Sequence, residues 1–234
     1  MKKLTITSLV LTMVSFALSG EKNSAPGQKI QRENIEWCDI WIPSATKTDK
    51  PRILLAGDSI SRGYYKSVCK LLKGQAYCCR FSTSACVADP AFHVQLQAMF
   101  TQYKYDIIHF NNGLHGTGYT EEEYKGGYEK VLKYIRKVSP SSKIVLALST
   151  PLNPESSRNN LNPRIDERNK IVRKLGKMYG AGINDLHSVS KDHPEYYKDP
   201  YHYKKTAIDL QSKQVAEQIK KLLNGTQENA SGRK

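Results

Sequence analysis

Several features that would fix a function class directly are missing from this sequence. No C-x-x-C pair occurs among the five cysteines, and no H-E-x-x-H run occurs anywhere, so no metal site is indicated. Beyond the first 20 residues no stretch approaches the ~20 apolar residues of a membrane span. No block of Arg and Lys interleaves with aromatics, which argues against a nucleic-acid partner despite a formal net charge of +14. Internal repeats and low-complexity tracts are absent. Acidic residues are few, 22 against 36 Lys and Arg, and the excess base is spread along the chain. Such an excess serves solubility or contact with anionic surfaces and acidic polymers.

What is present reads as a globular protein. Hydrophobic content is 39% and charged content 25% of 234 residues, ordinary values for a chain with a packed core. The N-terminus has the pattern of an export signal. Lys2 and Lys3 precede an apolar run, and Ala17 and Ser19 supply the small residues of a cleavage site. Residues 1–19 are therefore expected to be a signal peptide, and the mature protein to be secreted or periplasmic. No cysteine follows the apolar run, so a lipid anchor is not expected. Oxidising surroundings would favour one or two disulfides among Cys38, Cys69, Cys78, Cys79 and Cys86, with one thiol left over and the pairing open.

The remainder divides into a lead-in at 20–50, a domain at 51–223 and a polar tail, expected to be disordered, at 224–234. The lead-in starts polar, and its "IEWCDIWIP" carries both tryptophans, which suit packing on the domain. After it, strand and helix patterns alternate. "RILLAG", "QAYCCRF", "YDIIHFNN", "SKIVLALST" and "AGINDL" read as strands. Helical spacing appears in "YYKSVCKLL", "PAFHVQLQAMFTQY", "TEEEYKGGYEKVLKYIRKV", "NPRIDERNKIVRKLGKMYG" and "KTAIDLQSKQVAEQIKKLL". Thr120 and Glu123 form a capping box, and Gly180 closes the fourth helix. The alternation predicts an α/β fold: a three-layer α/β/α sandwich around a mostly parallel five-stranded sheet.

In such sheets, sites form just past the carboxyl ends of strands. Gly57-Asp58-Ser59, "STSA" at 82–85 and "NNGLHG" at 111–116 all fall there, on one edge. A serine hydroxyl needs a base to become a nucleophile. "DPYH" puts Asp199 and His202 in a loop before the last helix. A tight turn there sets a carboxylate beside one imidazole nitrogen and leaves the other for Ser59. An Asp-Pro turn with a surface histidine fits the same spacing. His187 and His193 are rival bases. His109 alternates within a strand and suits a hydrogen-bonded core position, while His93 suits a helix surface. A metal held by Asp58, His109 and His115 has no supporting spacing. Arg168 and Asn169 suit a solvated helix face or the edge of the site.

An early G-D-S after the first strand and a late D-x-x-H before the last helix resemble the SGNH (GDSL-type) hydrolase superfamily. The resemblance runs from Pro51 to about Leu223 and includes the strand–helix order. It implies the flavodoxin-like fold of that superfamily, with Ser59 as nucleophile, His202 as base and Asp199 as its orienting partner. It implies removal of acyl groups, acetyl above all, from carbohydrate, through an acyl-enzyme and without a cofactor. Two departures concern the oxyanion hole. The superfamily's glycine after the second strand has no match, Ser84 and Ala85 being nearest. Its G-x-N-D after the third strand is G-L-H-G here, so His115 stands where Asn is expected and Gly116 where Asp is. Candidate oxyanion or substrate-binding residues are Ser59, Ser84, Ala85, Asn111, Gly113 and His115, with Asn111 or Asn112 able to substitute for His115. Two alternatives accompany this reading: a lipid-ester or thioester hydrolase on the same residues, and a carbohydrate-binding protein with a degenerate site. Oligomeric state is not encoded in any of these patterns.

Overall fold

A computed structural model describes residues 30–231, so the expected signal peptide at 1–19 lies outside the described residues. In chain order the elements are β1 (Cys38–Trp41), β2 (Arg52–Gly57), α1 (Ser59–Leu71), β3 (Tyr77–Thr83), α2 (Pro90–Phe100), β4 (Ile107–Phe110), α3 (Glu121–Val138), β5 (Lys143–Ala147), α4 (Asn162–Met178), β6 (Gly182–Asn184), α5 (Leu186–Ser190) and α6 (Lys205–Ser231). The sheet order is β1-β3-β2-β4-β5-β6. Every pairing is parallel except β1 with β3. The five parallel strands are those read from the sequence; the sixth, β1, comes from the lead-in.

β2 is buried at every position. A strand of that kind needs cover on both faces, and its alternate side chains supply both contacts. Leu54 and Ala56 join one core with Phe81, Phe92, Tyr128 and Val172, beneath α2, α3 and α4. Ile53 and Leu55 join the other with Tyr64, Val68, Leu186 and Ile219, beneath α1, α5 and α6. Each large apolar side chain so buried contributes about 1.5–3 kcal/mol.

Two helix starts near the sheet edge follow from their caps. Asp58 accepts from the Ile60 amide to begin α1. Thr120 and Glu123 form the expected capping box on α3. The last helix runs through Ser231, into the stretch expected as a disordered tail. No proline interrupts that stretch, so the backbone ladder continues once established.

The chain passes from β2 to β3 on one side, then to β4 on the other. The crevice at the carboxyl end of β2 is thus the switch point of the sheet. Gly57 ends the strand there for a steric reason: a Cβ would lie 2.8 Å from Ser61 Oγ and 3.1 Å from the Asn111 carbonyl.

The described part of the lead-in is tied to the domain. Arg52 donates to the carbonyls of Pro43 (3.2 Å), Ser44 (2.9 Å) and Lys47 (3.0 Å). Trp37 and Ser84 exchange two hydrogen bonds, amide to Oγ at 2.8 Å and amide to carbonyl at 3.1 Å. All five cysteines carry free thiols, with Cys69 and Cys78 hydrogen bonded to one another. Among the described residues, no helix is long and apolar enough to cross a membrane.

Candidate active site

Ser59 is the first residue of α1, immediately after buried Asp58. The first amides of a helix have no intrahelical acceptor. Asp58 Oδ1 takes the Ile60 amide at 2.9 Å, while the Ser59 N–H has no partner among the described residues. The Ser59 Oγ meets His202 Nε2 at 2.9 Å, across 143 positions of sequence. The opposite nitrogen, His202 Nδ1, lies 2.9 and 3.0 Å from the two Asp199 oxygens. Asp199 Oδ1 also accepts the amides of Tyr201 (2.9 Å) and His202 (2.8 Å), which closes the D-x-x-H turn. Burial by itself raises the Asp199 carboxyl, but these amides and the His202 ring outweigh it and hold the group below the usual aspartate range. It therefore remains a carboxylate facing Nδ1, the arrangement that orients an imidazole and stabilises its protonated form.

Ser59 and His202 open onto a cavity of about 560 Å³, lined also by His115, Trp37, Tyr201, Leu114, Leu161 and Arg158. Beside it lies a much smaller pocket of about 10 Å³, bounded by Leu114, Leu152, Leu161, Ile165 and Tyr201. That is space for roughly one water-sized group.

The oxyanion candidates separate clearly. The Ser84 amide donates to the Trp37 carbonyl, and the Ala85 amide to Thr83 Oγ1 at 3.0 Å. Neither is free for an oxyanion, because a β1-flanking segment and a local turn already use them. The Asn111 amide group donates to the Ala147 carbonyl at 3.1 Å. Asn112 bridges the Val87 amide and the Ala85 carbonyl, both at 3.1 Å. These asparagines knit the sheet edge together and do not line the cavity. Gly113 packs so closely on Ser149 that a Cβ has no room, and its carbonyl accepts from Arg168 at 2.9 Å. Of the side chains on the 111–116 loop, Leu114 and His115 line the Ser59 cavity, and His115 is the one with a hydrogen-bond donor.

His115 has partners that motif reading missed. Its Nδ1 lies 3.0 Å from both oxygens of Glu33, a residue of the lead-in. Glu33 also accepts the Gly116 amide at 3.3 Å. The edge of the Trp37 ring sits against the imidazole, with centroids 6.3 Å apart. Burial lowers the His115 pKa, yet the Glu33 hydrogen bond and the charges of Asp58, Glu33 and Glu36 outweigh it, and the net shift is upward. Glu33 is held below the usual glutamate range, its burial outweighed by His115 and the Gly116 amide. The alternation in "IEWCDIWI" was the available signal, since it describes an edge strand that brings its upstream residues to the site.

Arg168 and Asn169 are buried, not on a solvated face. Arg168 donates to the carbonyls of Gly113, His115 (2.7 Å) and Gly116 (3.0 Å), and to Glu121 (2.9 Å). Asn169 brackets the Ser149 backbone at 2.8 and 2.9 Å. Four histidines lie elsewhere. His109 is in the core against Asn184 (3.0 Å), its pKa pushed down to about 4 by burial. His187 pairs with Asp166 at 3.1 Å and His193 with Glu195 at 2.9 Å, neither lining the Ser59 cavity. His93, expected on a helix surface, is half-buried and bonded to the Val87 carbonyl at 3.1 Å. Among the described residues, no group of three or more His, Cys, Asp or Glu is arranged to hold a metal.

Solved structures carry the same fold. A carbohydrate esterase family 3 protein from Talaromyces cellulolyticus aligns at TM-score 0.62 and 14% identity, covering 75% of this chain and 99% of its own. An acetylxylan esterase from Geobacillus stearothermophilus aligns at 0.58 and 12%, covering 74% and 94%. A GDSL-like lipase from Bacteroides thetaiotaomicron aligns at 0.56 and 14%, covering 73% and 88%. The fold is that of the SGNH (GDSL-type) hydrolases. No protein-family model and no curated protein sequence matches the chain.

Proposed function

We propose that the protein is a serine carboxylic-ester hydrolase that removes short O-acyl groups, acetyl in particular, from carbohydrate. The observation that carries this reading is the unbroken hydrogen-bonded line Asp199–His202–Ser59, at the switch point of a sheet with the SGNH fold. Ser59 Oγ attacks the ester carbonyl while its proton passes to His202 Nε2. The C–O double bond opens, and its electron pair comes to rest on the carbonyl oxygen. As the carbonyl re-forms, the alkoxide leaves and takes the proton from His202. Water then repeats the sequence on the acyl-enzyme, again through His202, and releases the acid and free Ser59. The unpartnered Ser59 N–H, at the positive end of α1, is one donor to the oxyanion.

Short acyl groups fit the small side pocket, whose space of about 10 Å³ suits a methyl. The larger cavity suits a sugar, with Trp37 and Tyr201 as flat walls. Named activities of proteins sharing the fold, acetylxylan and other carbohydrate esterases, support the same substrate class.

The test is hydrolysis of p-nitrophenyl acetate and of acetylated xylan by the natural chain and by Ser59→Ala. Loss of roughly 10⁴-fold or more in kcat is expected for the variant. Equal activity in both would refute the triad. Inactivity of the natural chain on every ester, together with retained glycan binding, would make it a binding protein.

A further inference from the structure

His115 lines the cavity that Ser59 opens onto, but it is not a simple replacement for an amide. A neutral imidazole has one N–H. If that proton sits on Nδ1, it is spent on Glu33, and Nε2 is left as an acceptor that would repel an oxyanion. Only the doubly protonated ring serves both Glu33 and a developing negative charge.

We infer that Glu33 is a positioning residue that keeps His115 as an imidazolium, so that the oxyanion meets a positive charge carried on Nε2–H. This rests on the esterase reading above. Three geometric observations support it. Both Glu33 oxygens lie 3.0 Å from Nδ1, so the carboxylate is committed to this nitrogen. Nε2 has no hydrogen-bond partner among the described residues, and the ring shares the cavity with Ser59. The backbone on either side is fixed, by Arg168 on the His115 carbonyl and by Glu33 on the Gly116 amide. With the backbone fixed, turning the ring away would forfeit its bond to Glu33.

The charged surroundings favour the cation on balance. The lead-in contributes Glu33 and Glu36; Asp58, just past β2, contributes only to the extent that it is ionised, since burial pushes its carboxyl up. Opposing them are Arg168 behind the loop, Arg158 and His202 on the cavity wall, and Arg32, which is paired with Asp89. The net upward shift of His115 agrees with the geometry. No proton leaves His115 during the reaction. Its N–H binds more strongly as the carbonyl oxygen gains charge and relaxes when the carbonyl re-forms, so the gain falls on the transition state.

The experiment is a pH profile of kcat on p-nitrophenyl acetate for the natural chain, Glu33→Gln, His115→Asn and the double variant. Circular dichroism confirms folding in each. Glu33→Gln should lower kcat by roughly tenfold, with a smaller change in KM, and move the alkaline limb to lower pH. The direction follows from the sign of the coupling. Glu33 extends the cation to higher pH, so losing Glu33 brings deprotonation earlier. His115→Asn should abolish that limb while keeping part of kcat, because an amide donor does not titrate. In that background Glu33→Gln should change nothing further. An unmoved alkaline limb in Glu33→Gln overturns the inference. So does an equal loss with and without His115, which would mean that Glu33 only holds the lead-in in place. A natural chain with no Ser59-dependent hydrolysis removes the esterase reading and this inference together. Full Ser59 dependence with no effect of Glu33 removes the inference alone.

Discussion

Arg168 and His115 are joined by a hydrogen bond of 2.7 Å, from a guanidinium on α4 to the main-chain carbonyl, across 53 positions of sequence. The same guanidinium reaches the carbonyls on both sides and the Glu121 carboxylate, and it is almost wholly shielded from water. One planar group thus sets the path of the loop that carries His115. Replacing it with Met should cost about 3 kcal/mol, because several carbonyls and a carboxylate lose their donor at once. Denaturant titration measures this. Arg168→Lys should recover little of the loss, since an ammonium cannot span the same fork of acceptors.

Gly116 shows the same loop from the backbone side. Its φ of +72° lies in the left-handed region, and a Cβ there would run into the Cys86 side chain. Gly116→Ala should cost about 2 kcal/mol from the backbone alone, and more from the clash. A lowered Tm with a lowered kcat is the expected pair of readings. An unchanged Tm would contradict the geometry.

Asp199→Asn separates charge from turn geometry. Asn keeps an oxygen for the Tyr201 and His202 amides but loses the negative charge opposite Nδ1. A kcat lower by about 10⁴-fold, with a modest fall in Tm at neutral pH, is expected. The pH dependence has a definite sign. Asp199 is held below its ordinary value, so its contribution to stability is complete above about pH 4 and is lost as pH falls further. The stability difference between the natural chain and the variant should therefore be flat above that pH and vanish in stronger acid. Thermal unfolding across pH 2–7 would reveal it.

On the proposed function, chain-length selectivity follows from the small pocket that adjoins the Ser59 cavity through Leu114, Leu161 and Tyr201. Acetate esters should exceed butyrate esters in kcat/KM by at least about tenfold, the usual discrimination per methylene or two. Ile165 is buried on the wall of that pocket. Ile165→Ala should shift the ratio toward butyrate and cost about 2–4 kcal/mol of stability. A natural chain that prefers octanoate would point to a lipid ester.

Much of this was legible in the sequence because it depends on local signals. Short apolar runs alternating with helical spacing gave the parallel strands, and the two short motifs gave Ser59, Asp199 and His202. Their meeting at 2.9 Å follows from strand order, which motif spacing encodes well. The oxyanion side was less legible. Ser84 and Ala85 stand at the right place in the chain, but the Ser84 amide is taken by Trp37, beside an edge strand from outside the parallel core, and the Ala85 amide by Thr83 in a local turn. Glu33 belongs to no motif. Arg168 looked like surface because a charged residue in a helix usually is, and only the loop carbonyls it serves make its burial sensible.

The Ser59 hydroxyl and the His202 imidazole it meets lie 143 positions apart, with most of the sheet between them in the chain. A ribosome therefore makes the reactive serine early and its base late. On the proposed mechanism Ser59 stays an ordinary alcohol until the loop bearing His202 is in place, so a chain truncated before it is expected to show no hydrolysis. Under the proposed reaction, ester turnover becomes a direct clock for the final folding step.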